Sequence, residues 1–360
     1  MNRPTSLYLD LIRFLAAMMV FLSHASSSQW TGGILWQIRP YGGEAVVVFF
    51  VLSGFVIAYA TEERERSARV YVVNRMARIY SVTIPALLLT FGLDAIGRRA
   101  DPSLYLHWLG DGPMQVMWQF LNSIMFTNQI WLNNVQPGTT EAYWSMGYEI
   151  PYYVVFGIAW FAPRRWGLAG AAVVLLILGP NIASLFPMWL LGLASYRLCA
   201  RRPLGTRSGL VLWAASIVAL ALVEIPTHPR QLTYHDLALT PDRLQNTAHY
   251  YLTAVLFTVN IIGFRGASPL LASPLETASR AIRWAGQRTF ALYLFHTAIM
   301  QFIVAVIPWP PSSWVTRAVV WLGVPTIVFA LAEVTERRKD SWRKLFAALL
   351  GATSPRKAAL

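Results

Sequence analysis

Apolar residues run through this chain in long blocks separated by short polar stretches, and the block length is that of a membrane-crossing helix. Ten blocks are long enough or nearly so: 7–25, 45–61, 79–97, 143–162, 166–182, 184–200, 209–225, 249–264, 289–308 and 314–333. A hydrocarbon layer of about 30 Å takes about 20 residues at the helical rise. The fifth, sixth and eighth blocks are the marginal ones. An eleventh apolar stretch, 115–131, is interrupted by Gln115, Gln119, Asn122, Asn128 and Gln129. It reads as an interfacial or re-entrant helix, not a span. The pattern predicts an all-α integral membrane protein with about ten transmembrane helices.

Composition agrees with the pattern. The 360 residues are 56% hydrophobic and only 13% charged, with a mean hydropathy of +0.45; soluble domains carry about 25% charge. A net charge of +13 would suit nucleic acid, yet no basic helix, zinc-ligand spacing or RNP-like strand accompanies it, so nucleic acid is not an expected partner. Cys199 is the single cysteine. It excludes an intramolecular disulfide and reads as a small apolar filler. Asp10 and Arg13 break the apolar core of the first block and no A-x-A site follows, so that block is expected to stay as a helix and not to be cleaved as a signal peptide.

Charge placement orients the chain. With the N-terminus inside and strict alternation, only Arg39, Arg98, Arg99, Arg230, Arg243 and Arg317 of the 30 basic residues fall outside. Arg13 lies within a span and the other 23 fall inside. Such a bias places both termini in the cytoplasm, and most of these arginines need do no more than set topology. The expected organisation is a transmembrane domain over 1–335 and a basic cytoplasmic tail over 336–360 that lies against anionic lipid. No internal repeat, low-complexity tract or appended soluble domain is visible. The long outer loops, 98–142 and 226–248, hold His107, His228, His235, Asp236 and Asp242. Their polar and aromatic content suits a carbohydrate or lipid headgroup, though interfacial aromatic belts account for many such residues.

The first block carries the most informative side chains. Asp10, Arg13 and His24 fall on one helix face, because eleven residues at 100° return to within about 20° of the start. Arg13 and His24 then stand about 16 Å apart along the axis. Ionisable residues are retained at such depth where they face protein or water and serve a function.

Five motifs follow in order. Arg13 and His24 form R-x10-H within L-D-L-I-R-F-L-A-A. F-F-V-L-S-G-F-V-I occupies 49–57, N-R-M-A-R-I-Y occupies 74–80, W-S-M-G-Y-E-I-P-Y-Y occupies 144–153, and A-L-Y-L-F-H occupies 291–296. Together, from Leu7 to about Glu333, they resemble the acyltransferase-3 family of bacterial membrane O-acyltransferases. Two positions depart from the family's pattern. Ser81 stands where proline often follows R-I-Y, and Ala45-Val46-Val47 stands where a Gly-Val-acid run often precedes F-F-V-L-S-G. A C-terminal esterase-like domain, found in some relatives, is not expected within these 360 residues.

The resemblance implies a multi-pass protein of the bacterial inner membrane. It implies transfer of an acetyl or other short acyl group from cytoplasmic acyl-CoA to a hydroxyl of an extracytoplasmic or lipid-linked glycan. Such a transfer needs a base for the hydroxyl, stabilisation of the oxyanion and a site for CoA. His24 is the expected base, as imidazole titrates near neutrality; a transient acyl-imidazole is the other chemical option, and a packing histidine the structural one. Arg13 is assigned to the donor, at a CoA phosphate or the thioester oxygen, or else pairs with Asp10. Arg75 and Arg78, one turn apart, suit CoA phosphates, unless they are topology signals alone. Glu149 is expected near the outer end of the fourth helix, orienting His24, binding acceptor hydroxyls or pairing with an arginine. Asp10, Ser53, Trp144, Ser145 and His296 complete the substrate-side candidates. Ser145 could instead cap a helix, and Ser53-Gly54 could serve helix packing. Tyr293 lies one turn before His296. No ligand spacing points to a metal. Membrane lipid is the expected surroundings, and nothing in the sequence indicates an oligomeric state. The competing reading is a glycolipid transporter or flippase, which intramembrane charges fit as well. A scaffold or sensor without catalysis would leave the Arg13–His24 stripe unexplained.

Overall fold

The computed structural model describes residues 1–106, 112–131, 133–224 and 241–351, with the backbone alone for 241–245. His107, His228, His235 and Asp236, and the Asp242 side chain, lie outside the described residues. Helices and turns account for the described chain, with no strand among these residues.

A helix forms at each of the ten apolar blocks. They are α1 (Arg3–Ala25), α2 (Gly42–Glu63), α3 (Ala68–Ala100), α4 (Met146–Phe161), α5 (Arg164–Leu178), α6 (Pro180–Arg201), α7 (Thr206–Glu224), α8 (Pro241–Ala267), α9 (Thr289–Val306) and α10, which runs over 314–334 through a π turn at Val319–Gly323. By length and composition, eight helical segments among the described residues can cross a membrane. The two that fall short are α4 and α5, with 16 and 15 residues. In the Thr206–Glu224 span only 11% of the apolar window is buried. A helix that is apolar all round and unburied by protein is one solvated by lipid.

The chain divides into two compact units. The first comprises residues 1–24, 35–62 and 184–289. Its core packs Leu9 of α1, Val51 and Phe55 of α2, Met188 and Tyr196 of α6, and Phe257 and Ile261 of α8; Cys199 is buried among them as an apolar filler. Tyr8 stacks on Phe264 with ring centroids 3.7 Å apart. Its hydroxyl donates to Asn260 Oδ1 at 2.6 Å and accepts from Trp213 Nε1 at 3.1 Å, while Asn260 donates to Ser216 Oγ at 3.1 Å. This buried polar chain ties α1, α7 and α8 where apolar packing alone would leave helix register open. Glycines set the close crossings. A Cβ at Gly54 would strike the Trp189 carbonyl oxygen, and one at Gly192 the Val51 carbonyl oxygen.

The second unit comprises residues 25–34, 63–183 and 290–360. In it α4 and α5 form a hairpin, and helix Lys339–Leu349 packs on the start of α3 through Trp342, Phe346 and Ala347 against Val73, Met76, Ala77 and Tyr80. Helix Lys339–Leu349 of the basic tail is therefore held by protein contacts. The stretch first read as interfacial or re-entrant contains a helix, Pro113–Ile124, that runs antiparallel beside α3. Phe120 meets Phe91, and Phe126 meets Tyr80, at ring separations of 5.9 and 5.7 Å. From Phe91 to Tyr80 is a descent of about 16 Å at the helical rise. Its polar face, Gln119, Asn122 and Ser123, is buried, while Met114, Met117, Trp118 and Leu121 face outward. That inverted amphipathy belongs to an arm set between protein and lipid. The chain climbs back to Asp94, which accepts from Thr139 N at 3.0 Å and Thr139 Oγ1 at 2.6 Å, and only then enters α4.

Candidate active site

In the first unit the α1 stripe forms as expected. Arg13 Nη1 lies 3.2 Å from Asp10 Oδ1, and Arg283 Nη1 lies 3.9 Å from Asp10 Oδ2. Asp10 thus holds the Arg13 guanidinium from one turn away and meets a second cation, which accounts for an acid at this position. Gly286 lets helix Ser279–Gly286 approach, since a Cβ there would come within 3.0 Å of the Asp10 Cβ. His24 bonds through its ring to the backbone carbonyl of Val20, one turn back. In a neutral imidazole that donates one N–H, the other ring nitrogen carries the lone pair. Arg39, which the charge count treated as a stray outer cation, lies within electrostatic reach of His24, and Ser23 Oγ donates to the Arg39 carbonyl at 2.6 Å. Ser53 accepts from Trp189 Nε1 at 3.1 Å, beside the Gly54–Gly192 crossing.

The second unit gathers the other candidates. Glu149 accepts a short hydrogen bond from the Tyr153 hydroxyl, one turn along α4. That hydroxyl also lies within electrostatic reach of both Arg75 and Arg78. Arg75 is held from several sides: its Nη2 is 2.5 Å from Glu65 Oε1, and its guanidinium lies 5.4 Å from the Tyr71 ring centre and 6.0 Å from that of Tyr153. Asn74 Nδ2 donates to the same Glu65 oxygen at 2.9 Å. Ser145 Oγ and Tyr293 OH are 2.7 Å apart, and Tyr293 also feels the Glu149 charge. Trp144 makes an edge-on contact with Tyr148 at 5.5 Å. His296 is fully buried, its Nδ1 2.7 Å from the Leu292 carbonyl.

Glu149 does not stand at the outer end of a full-length span. Tyr71, near the start of α3, donates to the Tyr153 carbonyl at 2.9 Å. The 16-residue α4 runs about 24 Å and begins beside Asn128 and Gln129, which Gly147 approaches. Through Tyr153, Glu149 is therefore linked to the Arg75 end of α3, the end that the arginine count assigns to the cytoplasm.

Sequence reasoning missed Glu65, Tyr153 and Arg39. Tyr153 ends the W-S-M-G-Y-E-I-P-Y-Y motif, yet only the i, i+4 spacing from Glu149 signals its bond. It also missed Glu336, whose Oε2 accepts from the Ala291 amide at 3.0 Å and so sets a carboxylate at the positive end of α9. Nor could spacing have joined Glu44, Glu224 and His249, which converge in the first unit: His249 Nε2 lies 3.4 Å from Glu44 Oε1 and 3.2 Å from Glu224 Oε2.

Comparison with known proteins bears directly on this arrangement. A family described as an acyltransferase domain matches residues 6–335. The chain belongs to that acyltransferase family. Among similar curated proteins, acyltransferase MdmB of Streptomyces mycarofaciens is 29% identical over 192 residues, 49% of this chain and 46% of its own. The exopolysaccharide production protein ExoZ of Rhizobium meliloti (strain 1021) is 28% identical over 154 residues, 39% of this chain and 43% of its own. The O-acetyl transferase of Shigella phage Sf6 is 27% identical over 157 residues, 42% of this chain and 44% of its own. The match thus spans a little under half the length of each of these relatives. No solved structure matches the chain. The matched region takes in every residue of the two clusters described above.

Proposed function

We propose that this chain is a membrane O-acyltransferase. It takes an acetyl or other short acyl group from cytoplasmic acyl-CoA and places it on a hydroxyl of an extracytoplasmic or lipid-linked glycan. The observation that carries the reading is the convergence of Arg75, Arg78 and Glu149 on the Tyr153 hydroxyl, within a family-matched region. Two guanidiniums one turn apart suit the phosphates of CoA. The name of one relative, an exopolysaccharide production protein, supports a glycan acceptor, and that of another, an O-acetyl transferase, supports an acetyl group placed on oxygen.

In this reading His24 is the base. Its ring nitrogen takes the proton of the acceptor hydroxyl as the oxygen attacks the thioester carbonyl carbon. The tetrahedral intermediate collapses, the C–S bond breaks, and the CoA thiolate takes the proton back from the imidazolium. Asp10 holds Arg13 toward the donor. Ser145 and Tyr293 offer hydroxyls to the acceptor, and Glu149 orders the polar cluster through Tyr153. The inner membrane is the compartment in which cytoplasmic donor and outer acceptor are both within reach.

The test is to supply purified protein in nanodiscs with radiolabelled acetyl-CoA, with and without an envelope-glycan extract. Slow CoA release without acceptor, and label appearing as alkali-labile ester with acceptor, are expected. No release from well-folded protein under either condition would leave the flippase as the better reading.

A further inference from the structure

We infer that Glu44, Glu224 and His249 form a binding site for one divalent transition-metal ion of the zinc class. These residues lie 180 and 25 positions apart in the sequence, on the first turn of α2, the last residue of α7 and the body of α8. Their ligand atoms all stand within 4.8 Å of one another. His249 Nε2 stands 3.2 and 3.4 Å from the two carboxylate oxygens, close to the edge lengths of a tetrahedron around an ion. Ligands at about 2.0–2.2 Å from tetrahedral zinc stand about 3.3–3.6 Å apart. One imidazole with two carboxylates selects zinc-like ions over magnesium or calcium, which prefer all-oxygen sites.

The supporting contacts are those a metal site needs. Thr253, one turn after His249 on α8, donates to Glu224 Oε1 at 2.8 Å, which turns Oε2 toward the imidazole. Tyr41 OH donates to the Glu224 backbone carbonyl at 2.8 Å and fixes the end of α7. The three side chains are only 8–16% exposed, so little bulk water competes with an ion held among them. The residual exposure leaves an entry path. Three ligands leave a fourth tetrahedral position for water or a substrate oxygen.

The site is distinct from the residues given the acyl chemistry, but one segment links it to His24. Residues Trp36–Tyr41 are tied to Ser23 through the Arg39 carbonyl and to Glu224 through Tyr41. A bound ion would clamp the start of α2 and the end of α7 to the body of α8 and hold Arg39 beside His24.

The test uses tag-free, full-length protein stripped with EDTA and dialysed against Zn²⁺, with Mg²⁺ in parallel. Bound metal is counted by elemental analysis and thermal unfolding is followed in the same samples. One Zn²⁺ per chain and a raised Tm are expected, with no Tm shift from Mg²⁺. His249→Ala and Glu224→Gln should lose the bound ion and the shift, and Thr253→Val, which keeps the side chain's shape, should weaken binding about tenfold or more. Zn²⁺ held equally by wild type and all three variants, or none held by folded wild type, would overturn the site. The latter result would leave His249 as a hydrogen-bond partner of Glu224 beside Glu44.

Discussion

Glu149 and Tyr153 share a hydrogen bond across one turn of α4, and the tyrosine hydroxyl that makes it lies within electrostatic reach of Arg75 and Arg78. One phenol therefore joins the carboxylate of one motif to the arginine pair of another. The arginines hold anions, the carboxylate orders the phenol, and the phenol's position depends on both.

Removing that hydroxyl should cost activity more than stability. Tyr153→Phe keeps the buried ring and the backbone bond from Tyr71, but leaves the carboxylate one donor short. A hydrogen bond to a charged group contributes about 1.5–3 kcal/mol, so CoA release should fall about 10–100-fold. Glu149→Gln should act in the same direction. The double variant should fall short of the product of the two single effects, because both remove one interaction. Steady-state kinetics on the three variants would show this; full additivity would separate the two residues.

The two arginines should differ in kind. Arg75 is locked to Glu65 at 2.5 Å, with side chains only 13% and 4% exposed. Breaking a buried pair from one side costs about 3–5 kcal/mol, so Glu65→Gln should lower Tm sharply. Arg78 has no such ion pair among the described residues and is half-buried. Arg78→Ala should raise KM for acetyl-CoA while leaving Tm nearly unchanged. Unfolding curves and KM measured on both variants separate the roles.

Gly54 and Gly192 should tolerate no side chain. An added Cβ meets a backbone carbonyl oxygen in each case, and backbone cannot rotate aside. Gly54→Ala or Gly192→Ala should yield little folded protein. Gly92 sits on α3 with nothing within 4 Å of the added carbon, so Gly92→Ala should be neutral or slightly stabilising. Size-exclusion profiles and Tm in detergent test the contrast.

The helices were legible because lipid imposes a one-dimensional code: an apolar run of span length must be helical wherever it sits. The predicted block 7–25 becomes Arg3–Ala25, and 209–225 becomes Thr206–Glu224. The larger miss is at α3, which begins at Ala68, eleven residues before the expected 79. Arg75 and Arg78 look like an end by hydropathy, but Glu65 and helix Lys339–Leu349 bury that stretch. The α1 stripe was legible because helical periodicity alone brings Asp10 to Arg13. Tyr153's link to the arginines, Glu65's lock and the Glu44–Glu224–His249 cluster were not. Each joins helices through polar contacts whose partners have no fixed spacing. Glu149's level along α3 was hidden for a related reason: the helix Pro113–Ile124 carries its apolar residues outward, as a span would.

The most direct test of the acyl-transfer account compares purified wild type with His24→Ala, in nanodiscs with acetyl-CoA. CoA release is the readout, and folding and CoA binding are checked on both. The account predicts release by wild type that is lost in His24→Ala while CoA binding persists. Equal release from the two folded proteins would contradict His24 as the base, and no release from either would contradict acyl transfer itself.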